Sequence, residues 1–428
     1  MSVDTIFAVA SGAPPAALAI VRVSGPQAFL AARALAGLVP PNRTAALRTL
    51  RRPSTREALD HAIVIAFVGP QSATGEDIVE FHLHGGRAVV AVMLAALAEI
   101  PGLRAAEAGE FTRRALSNGR IDLAEAEGLA DLLEAQTERQ RRTAMRSVEG
   151  QLSAAVAGWT TRVLQLAARV EALLDFADEG DVGESLDPAT VAQLASLVAD
   201  IDRVLAAPPV ERLRDGVRVV LAGPRNAGKS TLFNALVERE AAIVSPIAGT
   251  TRDIVETTVV RNGIAYAIAD TAGLVDETDD VIEAIGIDRA RAAMAGADIV
   301  LWLGDLPPPP AARSLWLYPQ SDARPALVNP ARMAVSARTG EGVAALWDTI
   351  GAHAPTLLPT EDQLALNARQ RALCQRVRDA LIQGSVEQDL LLLAENLRLA
   401  RVALDEITGR ADVESVLDAL FARFCIGK

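Results

Sequence analysis

The chain has 428 residues, half of them hydrophobic and only 4% aromatic, with 42 Lys plus Arg against 54 Asp plus Glu for a net charge of −12. At about 150 residues per domain this length points to about three domains, and the acidic balance excludes a general nucleic-acid coat while leaving room for a local basic patch or an RNA held by a basic partner. Two cysteines, Cys374 and Cys425, with no CxxC, exclude a disulfide framework and point to a reducing compartment. The start, MSVDTIFAVASGAPP, carries an acid where a secretion signal needs a base. The longest apolar run, Ala88 to Ala98, is too short to span a bilayer. The expectation is a soluble, cytoplasmic protein with no membrane association.

Residues 1–118 mix short β-type runs (ALAIVRV, HAIVIAFVG, DIVEFHLHGG) with apolar helical stretches, an α+β pattern. From Ile121 to Glu179 the chain is almost free of breakers and its apolar residues recur at helical spacing. A second helical stretch is expected over Pro188 to Leu205, with Asp187 as N-cap and proline at the first helical position. AAPPVERLRDG then reads as a linker. Strands alternate with helices from Val217 to about Ala354, an α/β unit. Helical character returns at PTEDQLALNARQRALCQRVRDAL, where Thr360 and Gln363 have capping-box spacing, and continues to the end with a break near Gly409. The economical architecture is multidomain α+β and α/β: an N-terminal domain over 1–118, a helical domain split between 119–212 and 356–428, and an inserted Ras-like P-loop domain over 213–355.

GPRNAGKS, Gly223 to Ser230, fits G-x-x-x-x-G-K-[ST], following an apolar strand and opening an amphipathic helix. Asn226, Ala227, Gly228, Lys229, Ser230 and Thr231 are the candidate phosphate cradle. Lys229 supplies charge at the β/γ oxygens and the Ser230 hydroxyl is a candidate Mg²⁺ ligand. Downstream, DTAG (Asp270, Thr271, Ala272, Gly273) ends an apolar strand, where a second carboxylate and a γ-phosphate-sensing amide belong. Between them lies SPIAGTTRD, a candidate switch loop containing Ser245, Pro246, Ile247, Ala248, Gly249, Thr250 and Thr251. Thr251 is its candidate Mg²⁺ ligand. On its own the segment would read as a surface loop.

Guanine readers usually carry N-K-x-D after the next strand. Here the stretch is LYPQSD: Asp322 survives, but Pro319 and Gln320 stand where Asn and Lys are usual. Asp322 accepts from guanine N1–H and the exocyclic amine, and SARTG, with Ser336, Ala337 and Arg338, resembles the backbone loop that reads O6. GTP is the expected nucleotide, with weakened affinity or selectivity, and ATP the competing one. Leu274 follows Gly273 where switch GTPases place a water-orienting Gln. The next residues, VDETDDVIEAIG, are rich in carboxylates, and the residues alone do not choose among them. LGDLPPPPAARS, Leu303 to Ser314, is a proline-rich insert that reads as a stiff spacer or a tolerated surface loop. The closing FCIGK makes Cys425 the fourth residue from the end, but Gly427 and Lys428 do not fit a prenylation box.

Together the motifs resemble the MnmE (TrmE) tRNA-modification GTPases over nearly the whole chain. GPRNAGKS, AAIVSPIAGTTRD, DTAGL, IEAIGIDRA and SARTGEG are similar to its G domain. GEDIVEFHLHGG and GEFTRRALSNGRIDLAEAEGLADLL are similar to its N-terminal and first helical parts, and FCIGK to its C-terminal signature. The resemblance implies a homodimer whose N-terminal domain binds a tetrahydrofolate derivative, 5-formyl- or 5,10-methylene-tetrahydrofolate, through residues matching Arg22, Glu80, Arg120 and Lys428. It implies a K⁺ ion held by Asn226, Ser245, Ile247 and Thr250 in the place of an arginine finger. It implies Glu283 as the acid that orients the attacking water. Cys425 is read as a functional thiol, with a buried packing thiol as the alternative. It also implies a heterotetramer with an FAD-dependent flavoprotein that binds much of the tRNA, and a carboxymethylaminomethyl or aminomethyl product at C5 of the wobble uridine. The basic run Glu138 to Arg146 is either an RNA or partner contact or a solvated helix face. A regulatory GTP-binding switch or ribosome-assembly GTPase is the competing class, and the folate-type motifs with FCIGK are what it would not need.

Overall fold

A computed structural model describes residues 4–175, 187–224, 226–238, 255–271, 292–309, 313–325, 329–360, 362–386, 389–411 and 414–428. The chain forms two compact units, one made of residues 1–130, 147–156 and 405–428, the other of 131–146 and 157–404.

The first unit is built on a six-stranded sheet of β1 (Thr5–Val9), β2 (Leu18–Ser24), β3 (Ala46–Arg51), β4 (Ala58–Phe67), β5 (Ile78–His84) and β6 (Leu103–Ala105), in the order β3-β4-β5-β2-β1-β6. All pairs are antiparallel except β1 with β6. Alternation decides the faces. Val21, Val23, Val79, Phe81 and Val64 turn to one side, where α1 (Ala28–Ala36) and α2 (Arg87–Ala98) cover them with Ala28, Ala31, Leu35, Met93 and Leu97. Each such fully buried large side chain contributes about 1.5–3 kcal/mol. Their neighbours Arg22 and Glu80, directly opposed on β2 and β5, turn to the other side. There α3 (Glu110–Ser117) brings Phe111 under the Arg22 guanidinium, 5.8 Å from the ring centre.

The expected long helical run after Ile121 is three helices, α4 (Leu123–Glu134), α5 (Glu138–Val148) and α6 (Gln151–Asp175). Two local signals break it. Thr137 and Gln140 form a reciprocal box, the Gln140 Oε1 accepting from Gln136 and Thr137 N–H and the Thr137 hydroxyl from Gln140 N–H. Gly150 then adopts φ 78° between α5 and α6. Asp187 caps α7 (Pro188–Leu205) as its sequence predicts, accepting from Thr190 N–H at 3.0 Å.

The segment read as a linker is fastened. It contains the short helix α8 (Glu211–Arg214), whose last carbonyls, Leu213 and Arg214, accept from the Gln140 side-chain amide. The return to helix is also later than expected. Thr360 N–H does reach Gln363 Oε1, but residues 362–367 form no helix. The helix starts at Ala368, where Asn367 and Gln370 cap each other reciprocally.

The α/β part of the second unit is a six-stranded sheet in the order β12-β11-β10-β7-β9-β8, from β7 (Val217–Ala222), β8 (Val255–Arg261), β9 (Ile264–Asp270), β10 (Ile299–Trp302), β11 (Ser314–Pro319) and β12 (Met333–Val335). Only β8 runs antiparallel to its neighbour. The central parallel strands β7 and β9 are near-continuously buried, as strands covered on both faces require. Their core joins Val219, Leu221, Ile268 and Leu301 to Leu232 and Leu236 of α9 (Lys229–Glu238) and to Leu346, Trp347 and Ile350 of the helix Val343–His353.

Candidate functional site

In an open parallel sheet, ligands bind beyond the carboxyl ends of the strands. Four candidate segments leave the sheet at that edge: the loop after β7, the end of β9, the turn after β11 and the loop after β12.

The loop after β7 needs backbone that side chains resist. Gly223 sits at φ 148° and Gly228 at φ 91°, and Asn226 adopts φ 59°. A Cβ on Gly223 would lie 3.2 Å from Leu303. The loop delivers the chain into α9, whose free N–H groups form an anion site. Lys229, almost fully buried, donates through Nζ to the carbonyls of Gly223 at 3.0 Å and Pro224 at 2.9 Å. Burial lowers its pKa below the ordinary lysine value, with the Asp270 charge pulling the other way.

Parallel pairing of β7 and β9 sets Asp270 beside Leu221. There Asp270 Oδ2 accepts from the Ser230 hydroxyl at 2.7 Å, and the Thr271 hydroxyl donates to Leu221 O at 2.8 Å. A hydroxyl and a carboxylate on adjoining rigid elements form a hard-oxygen pair of the kind Mg²⁺ takes beside phosphate oxygens. These residues fit that ion.

The base-reading segments converge as well. Asp322 Oδ1 accepts from the buried Ser336 hydroxyl at 2.6 Å and Oδ2 from the Arg338 guanidinium. The Ser336 hydrogen bond, then Arg338, holds the Asp322 carboxyl below the usual aspartate range. A cavity of about 260 Å³ joins Gly228, Thr231 and Leu232 to Pro319, Gln320, Asp322, Ala337 and Arg338. Gln320, at φ 56°, lies across the phosphate loop, with its Nε2 3.5 Å from where a Cβ on Gly228 would stand. Phosphate loop and base motif are therefore one continuous site. Ser245, Pro246, Ile247, Ala248, Gly249, Thr250, Thr251, Ala272, Gly273 and Glu283 lie outside the described residues.

In the first unit, Arg22, Glu80 and Arg120 line one cavity of about 360 Å³ with Arg43, Phe67 and Ser72. Arg22 grips Glu80 Oε1 through Nε at 3.0 Å and Nη2 at 2.8 Å, while His82 stands 3.3 Å from Oε2. Arg120 donates to Ser72 O at 3.1 Å. Sequence reasoning missed Arg43 and Phe67. Arg43 sits over the Phe67 ring at 5.6 Å, a pairing of positions 24 apart that no local pattern announces. Three guanidiniums, one carboxylate and an aromatic ring suit a ligand with a flat hydrogen-bonding ring and a carboxylate tail.

Lys428 is not in that lining. Its N–H donates to Cys425 O, and the tail is held by an Ile426–Ala108 bridge and by Gly427 against Val9. Cys425 is exposed, whereas Cys374 is buried and its thiol is pushed up to about 12. In the basic run, Arg141 and Arg142 pair with Glu138 on their own helix and Arg139 donates to Pro359 O. Among the described residues, no helix is long and apolar enough to cross a membrane.

Residues 5–120 match the family model described as GTP-binding protein TrmE N-terminus, and residues 123–425 the one described as MnmE helical domain. The tRNA modification GTPase MnmE of Rhizorhabdus wittichii is 56% identical over 427 residues, covering 99% of this chain and 97% of the relative. That of Erythrobacter litoralis is 55% identical, covering 99% and 100%. That of Novosphingobium aromaticivorans is 52% identical over the same shares. With both family models and near-full-length relatives agreeing with the P-loop geometry, this chain belongs to the MnmE (TrmE) family of tRNA-modification GTPases.

Proposed function

We propose that this chain is a potassium-dependent GTPase of the cytoplasm which, as a homodimer joined to an FAD-dependent flavoprotein, modifies C5 of the wobble uridine of certain tRNAs. The group installed is aminomethyl or carboxymethylaminomethyl, with its one carbon drawn from a tetrahydrofolate derivative. The observation that carries the reading is the continuity of the site: Lys229 and the Ser230–Asp270 pair adjoin the cavity that holds Asp322.

Each residue has a chemical task. The α9 amides and Lys229 bind the β/γ phosphates and offset charge as the bond to the leaving oxygen stretches. Ser230, with Asp270 behind it, would hold Mg²⁺, which neutralises phosphate charge when bound. Asp322, kept ionised by Ser336 and Arg338, accepts the guanine N1–H and amine. Asn226 is the described candidate for K⁺, and Glu283 the candidate for orienting water. Arg22, Glu80, Arg120 and Lys428 are the folate candidates, the first three supported by their shared cavity, and Cys425 is the candidate functional thiol, supported by its exposure.

The test is nucleoside mass spectrometry of tRNA from cells with and without this chain. The reading predicts loss of the C5-modified wobble uridine without it and recovery when the chain is restored. Unchanged modification overturns it.

A further inference from the structure

The proline-rich insert after β10 takes no part in the chemistry above, yet it is tied to the turn that presents Asp322. The Asp305 carboxylate accepts from both terminal nitrogens of Arg324, each at 3.2 Å, and from Arg332 Nη2 at 3.1 Å. The neighbouring carbonyl, Gly304 O, accepts from Trp316 Nε1 at 2.8 Å. Both guanidiniums lie over Tyr318, Arg324 at 5.1 Å and Arg332 at 4.8 Å from the ring centre. Arg332 also lies over Trp316, at 5.2 Å. The Tyr318 hydroxyl closes the arrangement by donating to Pro325 O at 3.0 Å.

This cluster fastens the exit of the turn. At its entry, Gln320 O accepts from the backbone of Ala323 and Arg324. At its middle, Asp322 is held by Ser336 and Arg338. Pro319 and Gln320 stand where guanine readers usually have Asn and Lys, and Pro319 has no side-chain hydrogen-bonding group to tie the turn down. The Arg332 side chain is only 9% exposed, so its charge needs a fixed partner, and Asp305 supplies one for both arginines.

We propose that Asp305 is a positioning residue for guanine recognition: through Arg324 and Arg332 it holds the turn 320–325 so that Asp322 faces the base, replacing the missing motif side chains. This rests on the GTP reading above. Asp305 does not line the cavity that holds Asp322, so its loss changes which base is preferred rather than whether phosphates bind.

The experiment is competition of GTP, ITP and ATP against a ribose-labelled fluorescent GDP, on the full chain and its Asp305→Ala, Asp305→Glu and Arg324→Lys variants. ITP lacks the exocyclic amine that Asp322 reads, so the GTP-to-ITP affinity ratio reports Asp322 placement directly. With the exposed carboxylate removed from both Arg324 and the mostly buried Arg332, Asp305→Ala should weaken GTP roughly three- to ten-fold. ITP should weaken less, so the ratio narrows. Asp305→Glu should restore most of the ratio, and Arg324→Lys, which keeps charge but loses the two-pronged contact, should fall between. A ratio unchanged in Asp305→Ala, or GTP and ITP weakened equally, overturns the proposal. A wild-type chain that does not prefer GTP to ATP removes the guanine reading first and the proposal with it. Asp305 is 66% exposed in its side chain, so the alanine variant is expected to fold.

Discussion

The Ser230 hydroxyl donates to Asp270 Oδ2 across 2.7 Å, so the first turn of α9 and the end of β9 hold a pair of hard oxygens between them. Both elements are pinned by packing, through Leu232 and Ile268 of the same core. Ser230→Ala removes one oxygen of the pair and leaves the fold. GTP hydrolysis should fall by at least about ten- to a hundred-fold, the range seen when a metal site's supporting contacts are lost. Raised Mg²⁺ should recover part of it. A magnesium titration of the hydrolysis rate checks this, and an unchanged curve would place the metal elsewhere.

Gly427 has φ 101°, and a Cβ there would lie 2.0 Å from the Val9 carbonyl oxygen. Gly427→Ala must push the tail off β1 and move Lys428 with it. If Lys428 serves the folate site, 5-formyltetrahydrofolate binding should weaken roughly ten-fold, a cost matching a forced backbone of this kind. GTP affinity should not change. Isothermal titration with both ligands separates the two, and intact folate binding would free Lys428 of the role.

The two thiols should part company under alkylation. Cys425 is exposed and should take up iodoacetamide in the folded protein. Cys374 is sealed in, with its thiol pushed up to about 12, and should react only after unfolding. Peptide mass spectrometry after timed labelling reads the ratio. Fast labelling of Cys374 would contradict its burial.

Acid should cost the first unit stability through Glu110. Burial raises the Glu110 pKa, but hydrogen bonds from Arg104, Glu107 N–H and Arg114 outweigh it and keep the pKa below the usual glutamate value. Its contribution is therefore complete above the unfolded value of about 4.3, and is lost as pH falls through the lower folded value. Glu110→Gln should lower stability by about 1–2 kcal/mol at neutral pH, with the gap to wild type closing on acidification. Thermal melts across pH measure the gap, and one that widens in acid would refute the sign.

Much of this was legible because it is local. GPRNAGKS and IAYAIAD announce a loop–helix and a strand, and Asp187–Pro188 announces the start of α7. Cap competition was less visible. Thr360 and Gln363 have box spacing but make only a turn, while Thr137–Gln140 and Asn367–Gln370 carry the real helix starts. Long-range arrangements were not legible. Asp305 meets Arg324 and Arg332 only because β10 and β11 pair in parallel and bring the insert beside the turn. Arg43 meets Phe67 because residues 42 and 66 are bridged. Such contacts depend on register, which a single sequence does not print.

The most direct measurement is steady-state hydrolysis by the purified chain, GTP against ATP, in KCl against NaCl at equal ionic strength. GTP should be hydrolysed with little turnover of ATP, and markedly faster in K⁺. Equal rates with ATP would contradict the base reading built on Asp322 and Ser336. Equal rates in the two salts would contradict a potassium site at Asn226.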